Sequence, residues 1–210
     1  MQALGLTATG FASAIDLGDP SSPFGTVHFQ NKQVVTRRLV AVAMQLAFGR
    51  PRTPAGDGAW PPPAFLTQSV LTTPTALMVN VTFAIVGDIG GDGSAFRLGF
   101  GATVDTKNQS SAVCPAGRAP AANCSGFEVL TNDGTWHPAT ASIAADEQTV
   151  LLRCPAPGGG LYAVGSRYAW GEWPLATLFA ADATGATGLP ILPWQQALTM
   201  TAPAQGDDVL

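Results

Sequence analysis

Charge is scarce in this chain: Asp, Glu, Lys and Arg together make up 11% of its 210 residues, and the balance is a formal net charge of -4. Ten basic residues outnumbered by fourteen acidic ones give no positive field for a phosphate backbone, so a nucleic-acid partner is excluded as an expectation. No apolar run reaches the roughly 18 residues a membrane-spanning helix needs. The first residues, Met1-Gln2-Ala3-Leu4-Gly5-Leu6, lack the basic start, apolar core and cleavage site of an export signal. Histidine is limited to His28 and His137, which restricts imidazole chemistry to two positions.

Cysteine is nearly as rare, with three in all. Cys114 and Cys124 bracket a Pro- and Ala-rich loop that a disulfide can close in an oxidising compartment, leaving Cys154 alone; three reduced thiols are the other reading. Three N-x-Ser/Thr triplets, starting at Asn80, Asn108 and Asn123, suit a parent protein that passes through the secretory pathway. A secreted or lysosomal destination is therefore expected for that parent.

What the chain has in quantity is Gly (24), Pro (17) and apolar residues (46%), a composition of strands and turns and not of a helical bundle. Residues 11–17, Phe-Ala-Ser-Ala-Ile-Asp-Leu, form an apolar run that ends at Gly18, Asp19 and Pro20, which predicts a buried strand with polar groups at its end. Val35, Leu39, Val42 and Leu46 then recur at helical spacing, with Arg37, Arg38 and Gln45 off that stripe; Asn31 can cap the helix and Gly49 can end it. Pro51, Pro54 and Pro61–Pro63 forbid a long helix beyond Gly49 and mark a linker. Strands are predicted at about 76–86, 96–104, 126–131, 138–144, 148–153 and 161–169, with an Asn132-Asp133-Gly134 hairpin turn. The expected organisation is a strand-helix unit over 1–50, the terminal piece of an α/β domain, a linker over 51–64, and a β-sandwich-like domain over 65–210.

Residues 12–49 carry a resemblance. Ala-Ser-Ala-Ile-Asp-Leu-Gly-Asp-Pro-Ser-Ser-Pro-Phe-Gly-Thr-Val-His, followed by Asn31-Lys32-Gln33, Arg38-Leu39 and Ala47-Phe48-Gly49, resembles the segment around the catalytic histidine of the sialate O-acetylesterase family. Arg167-Tyr168-Ala169-Trp170, Pro174, Leu178 and Gly188-Leu189-Pro190 resemble that family's C-terminal motif, and Gly126-Phe127-Glu128-Val129 with Asp133-Gly134 resembles one of its hairpins. The resemblance implies an SGNH-type serine esterase acting on O-acetylated sialic acid or a related acetylated sugar, with no cofactor and no metal. It implies that His28 is the base that takes the serine proton and returns it to the departing sugar hydroxyl. A carboxylate would orient His28: Asp19 first, Asp16 second. Two positions depart from the family pattern, with Gly25 where relatives often carry Asp and Phe29 where they usually carry Pro.

The family's nucleophile block, Gly-Gln-Ser-Asn or a related Gly-Asp-Ser, does not occur, and Gln68-Ser69-Val70 is unlike it. The expectation is a chain that begins within the catalytic domain, inactive alone, with the missing N-terminal half as its partner. The alternative is a non-catalytic β-rich module that binds glycans or a protein partner. His137 is expected at the surface. Trp170 and Trp173 flank Glu172 as a sugar platform or, more often for such residues, as packing. The spacing of Gly87–Gly93 fits neither a calcium loop nor a phosphate loop.

Overall fold

The computed structural model describes residues 9–18, 22–25, 28–49, 63–73, 75–84, 97–100, 126–156, 158–170, 177–181 and 187–198. The Pro-rich stretch after Gly49, apart from Pro63, lies outside them, as do the Gly87–Gly93 loop, Cys114, Cys124, Asn108 and Asn123.

One helix, α1 (Lys32–Phe48), runs for 17 residues between the ends its sequence marks. Asn31 Oδ1 accepts the Gln33 N–H at 3.2 Å, and Gly49 adopts the left-handed conformation, φ 58°, while its N–H donates to the Gln45 carbonyl. The buried face is shifted from the one the apolar spacing predicts, keeping Val42 but not Leu39 or Leu46. Arg38 and Val42 are buried, whereas Leu39 and Leu46 are 49% and 37% exposed. The helix is turned by about one residue, roughly 100°, because Arg38 is drawn inward by Asp16.

The strand expected over 11–17 is not formed. The Leu17 N–H donates to the Ala14 carbonyl (3.0 Å) and the Ile15 N–H to Ser13 Oγ (3.3 Å), so the backbone closes on itself in a turn. A strand needs a neighbour for its N–H and C=O groups, and among the described residues none pairs with this segment; the Ser13 carbonyl instead accepts from Arg38. Ile15 packs on the β-rich core and Leu17 is buried.

Eleven strands follow among the described residues: β1 (Ala64–Thr72), β2 (Ala76–Ala84), β3 (Arg97–Phe100), β4 (Phe127–Thr131), β5 (Trp136–Pro138), β6 (Thr140–Ile143), β7 (Thr149–Pro155), β8 (Ala163–Tyr168), β9 (Leu178–Ala181), β10 (Thr187–Pro190) and β11 (Trp194–Ala197). Every pairing is antiparallel. They form a sheet ordered β1-β2-β7-β6, a second ordered β11-β8-β4-β5, and a three-stranded sheet ordered β10-β9-β3. The β-rich expectation holds.

Period-two alternation builds the core. Leu77, Val79, Val81 and Phe83 of β2 and Val150, Leu152 and Cys154 of β7 point inward from the first sheet, to meet Phe127 and Val129 of β4, Tyr168 of β8 and Trp194 of β11 from the second. Their rings interlock: Phe127 to Tyr168 at 4.6 Å, Tyr168 to Trp194 at 4.9 Å, and Phe83 to Trp194 edge-on at 5.3 Å. The polar atoms buried with them are satisfied. Ser166 Oγ donates to Gln68 Oε1 (2.7 Å) and accepts from Trp194 Nε1 (3.0 Å), tying the two sheets together. Tyr168 Oη accepts the Leu178 N–H at 2.8 Å, and burial pushes this phenol up to about 12.

The hairpin at Asn132-Asp133-Gly134 forms as expected, with Gly134 at φ 84° and the Thr131 N–H donating to the Thr135 carbonyl. The strand predicted over 138–144 forms as β6, and a separate short strand, β5, precedes it in a different sheet. β5 pairs with β4 and β6 pairs with β7, and only Ala139 lies between them. The Ala139 N–H still donates to the Phe127 carbonyl at 2.9 Å, in register with the β4–β5 pairing, so that ladder runs to Ala139 before the chain crosses to β7.

Candidate functional site

Among residues 22–25 and 28–32, short-range hydrogen bonds gather around His28. Ser22, itself buried, donates its hydroxyl to the His28 carbonyl at 2.6 Å and accepts the Phe24 N–H at 3.3 Å. The His28 N–H donates to the Gly25 carbonyl at 2.9 Å. Gly25 sits at φ 100°, a region side chains other than glycine's rarely enter, and this bend delivers residue 28 to the start of α1. Both main-chain groups of His28 are thus fixed while its ring remains exposed.

The ring faces an open cavity of about 660 Å³ lined by Phe24, His28, Phe29, Gln30 and Lys32. Lys32 Nζ stands 3.9 Å from the centroid of the Phe29 ring, a cation–π contact that gives the ammonium a preferred place. It is the only lysine, arginine or carboxylate side chain on the described lining. No carboxylate, and no hydroxyl, is hydrogen-bonded to the His28 ring among the described residues. Acyl transfer from this side would need a nucleophile brought to the cavity.

Asp16 is 5% exposed, with both carboxylate oxygens committed. Arg38 Nη1 donates to Oδ1 and Nη2 to Oδ2, each at 2.7 Å, and Nη1 also donates to the Ser13 carbonyl at 2.8 Å. The pair is a fork-on-fork clamp that fastens residues 13–16 to the middle of α1. Asp19, the other candidate for orienting His28, lies outside the described residues.

His137, on β5, is half-buried, and its Nε2 is hydrogen-bonded to Thr131 Oγ1 at 3.1 Å. It belongs to the hairpin. Asp133 accepts the Thr131 hydroxyl (2.7 Å) and the Thr135 N–H (3.0 Å), bonds that hold its carboxyl below the ordinary value. Trp170 is 52% exposed and therefore not core packing, while Glu172 and Trp173 lie outside the described residues. Cys154 is a free, buried thiol whose pKa burial pushes up. No group of three His, Cys, Asp or Glu able to hold a metal gathers among the described residues, and no helix there is long and apolar enough to cross a membrane.

Sequence reasoning singled out His28 but missed Lys32 as the cavity's cation and Arg38 as the inward clamp. Apolar spacing carried no signal for the clamp, because it puts Leu39 on the stripe and Arg38 beside it. Compared with known proteins, the chain matches no family model and no curated protein.

Proposed function

We propose that the chain is the histidine-bearing C-terminal part of a carbohydrate O-acetylesterase of the SGNH type, resembling the sialate O-acetylesterases. His28 is its general base, and the serine nucleophile comes from a segment other than the described residues. The observation that supports this reading is the way Ser22 and Gly25 fix the His28 main chain while its ring stands free at a cavity. A base must be held in place yet keep its ring nitrogens for the reacting proton. In the reaction, the imidazole takes the serine proton as the oxygen attacks the acetyl carbonyl, then gives it to the sugar oxygen that leaves. Asp16 is spent on Arg38, so the orienting carboxylate is Asp19. The Lys32 ammonium at the wall suits an acidic sugar such as an O-acetylated sialic acid, whose carboxylate it can bind.

Joining an N-terminal half that carries a serine block to this chain, and measuring acetate release, tests the proposal. His28→Ala should lower the rate at least about a hundredfold, since positioned proton transfer supplies that much, and His137→Ala should leave it unchanged. Lys32→Gln should raise KM for an acidic acetylated sugar and not for a neutral one. Loss of activity in the His137→Ala variant with retention in His28→Ala would refute the assignment. Trp170, 52% exposed and able to stack on a sugar ring, supports a second reading, a β-rich module that binds glycans without turnover. Saturable glycan binding by the chain alone, with no hydrolysis after joining, would select it.

A further inference from the structure

β2 is an interior strand of its sheet, flanked by β1 and β7. Val79 and Val81 are fully buried, so Asn80 between them points to the opposite face, where it is exposed. The register sets Ser69 of β1 on one side of it and Leu151 of β7 on the other. Asparagine is depleted in strands, whose interiors favour β-branched and aromatic residues. The Asn80 side chain is exposed, and its amide makes no hydrogen bond among the described residues. Two positions on, and on the same face, stands Thr82, its hydroxyl 3.1 Å from that of Thr149. Asn80-Val81-Thr82 is an N-x-Thr acceptor triplet.

We infer that Asn80 is a site of N-linked glycosylation, with its oligosaccharide standing on the outer face of the β1-β2-β7-β6 sheet. The inference rests on passage of the chain through the secretory pathway and is independent of the esterase reading. The co-reactant is a lipid diphosphate-linked oligosaccharide. Asn80 Nδ2 loses one proton and forms a C–N bond to the anomeric carbon of the first sugar; the C–O bond to the lipid diphosphate breaks, and the diphosphate leaves with that electron pair. The folded sheet accommodates the product, because the added bulk grows away from Val79 and Val81 and its near neighbour Ser69 is small. Leu71 and Met78, paired next to Ser69 and Asn80 along the same face, come under the first sugars. Leu71 is 56% exposed, and the glycan would shield it from water-driven association.

The test is to express the full chain behind a cleavable leader in a eukaryotic cell, purify it from medium and cells together, and map its peptides by mass spectrometry before and after peptide-N-glycosidase. The expected result is a glycan on most copies of the Asn80 peptide, lost in Asn80→Gln and in Thr82→Ala but kept in Thr82→Ser. Matching thermal unfolding of enzymatically deglycosylated wild type and Asn80→Gln excludes misfolding as the cause. A predominantly unmodified Asn80 peptide in wild-type protein, or an unchanged glycan number in Asn80→Gln, overturns the inference. Acetate release is not read, so the esterase proposal stands or falls separately.

Discussion

Removing one member of the Asp16–Arg38 clamp should cost far more than the loss of a surface ion pair. Exposed pairs contribute about 0–1 kcal/mol, but these side chains are only 5% and 4% exposed and are joined by two bonds of 2.7 Å. Truncating either partner leaves the other charge buried without its counter-ion, a change of about 3–5 kcal/mol. For a chain of this size each kcal/mol moves Tm by about 2–4 °C, so Asp16→Ala or Arg38→Ala should lower it by roughly 6–20 °C if unfolding is a single transition. If the helix instead detaches by itself, the loss will show as faster amide exchange at residues 13–18 and 31–49, with the β-strands still protected. Urea unfolding and hydrogen exchange of the two single variants and of Asp16→Leu/Arg38→Met distinguish these cases. The apolar double variant should recover much of the loss, because it leaves no charge behind. Single variants that each cost under about 1 kcal/mol and simply add in the double variant would refute the buried-clamp argument.

Gly134→Ala should destabilise by about 1–2 kcal/mol through backbone strain alone, since φ is 84° there and no atom lies within 4 Å of the added methyl; a neutral change in urea unfolding would contradict this. Asp133 and Asp146 have carboxyl pKa values held below 3.8, chiefly by the hydroxyls of Thr131 and Thr149 respectively. The unfolded chain therefore binds more protons in acid, so their contribution is present above 3.8 and is lost as pH falls through the depressed folded values. Asp146→Asn should flatten the stability-pH slope below about pH 4, and an unchanged slope would count against the Thr149 bond. Cys154, buried with its pKa raised, should resist alkylation at pH 8 in the folded protein and react on denaturation; prompt labelling of native protein would show that the β7 core opens.

The ends of α1 were legible because capping is local: Asn31 and Gly49 act on groups within four residues. Its rotation was not, because the side chain that sets it, Arg38, finds its partner 22 residues away. Apolar spacing alone put Leu39 inward and Arg38 outward. The run over 11–17 has the composition of a strand, but strand formation depends on a neighbour, which composition does not supply. β2, β4, β7 and β8 were readable from alternation. β1 was not, since Phe65, Leu66, Val70 and Leu71 come in adjacent pairs and its register shifts between Phe65 and Thr67. β9, β10 and β11 are four residues each, too short for a period to show. At the candidate site, the neighbours of His28 in sequence singled it out, whereas the commitment of Asp16 to Arg38 needed the fold.

The one-residue step between β5 and β6 makes Ala139 a rivet through both layers of the protein. A slip of β5 by one position along β4 would carry Thr140–Ile143 with it and turn Thr140 and Ser142 toward the apolar interior, while Ala141 and Ile143 swung out to water. An alignment error in either layer is thus punished in the other, and neither can adjust by sliding alone. Insertion of a single glycine after Pro138 would free the two layers to be set independently, at the expense of the proofreading that their coupling provides.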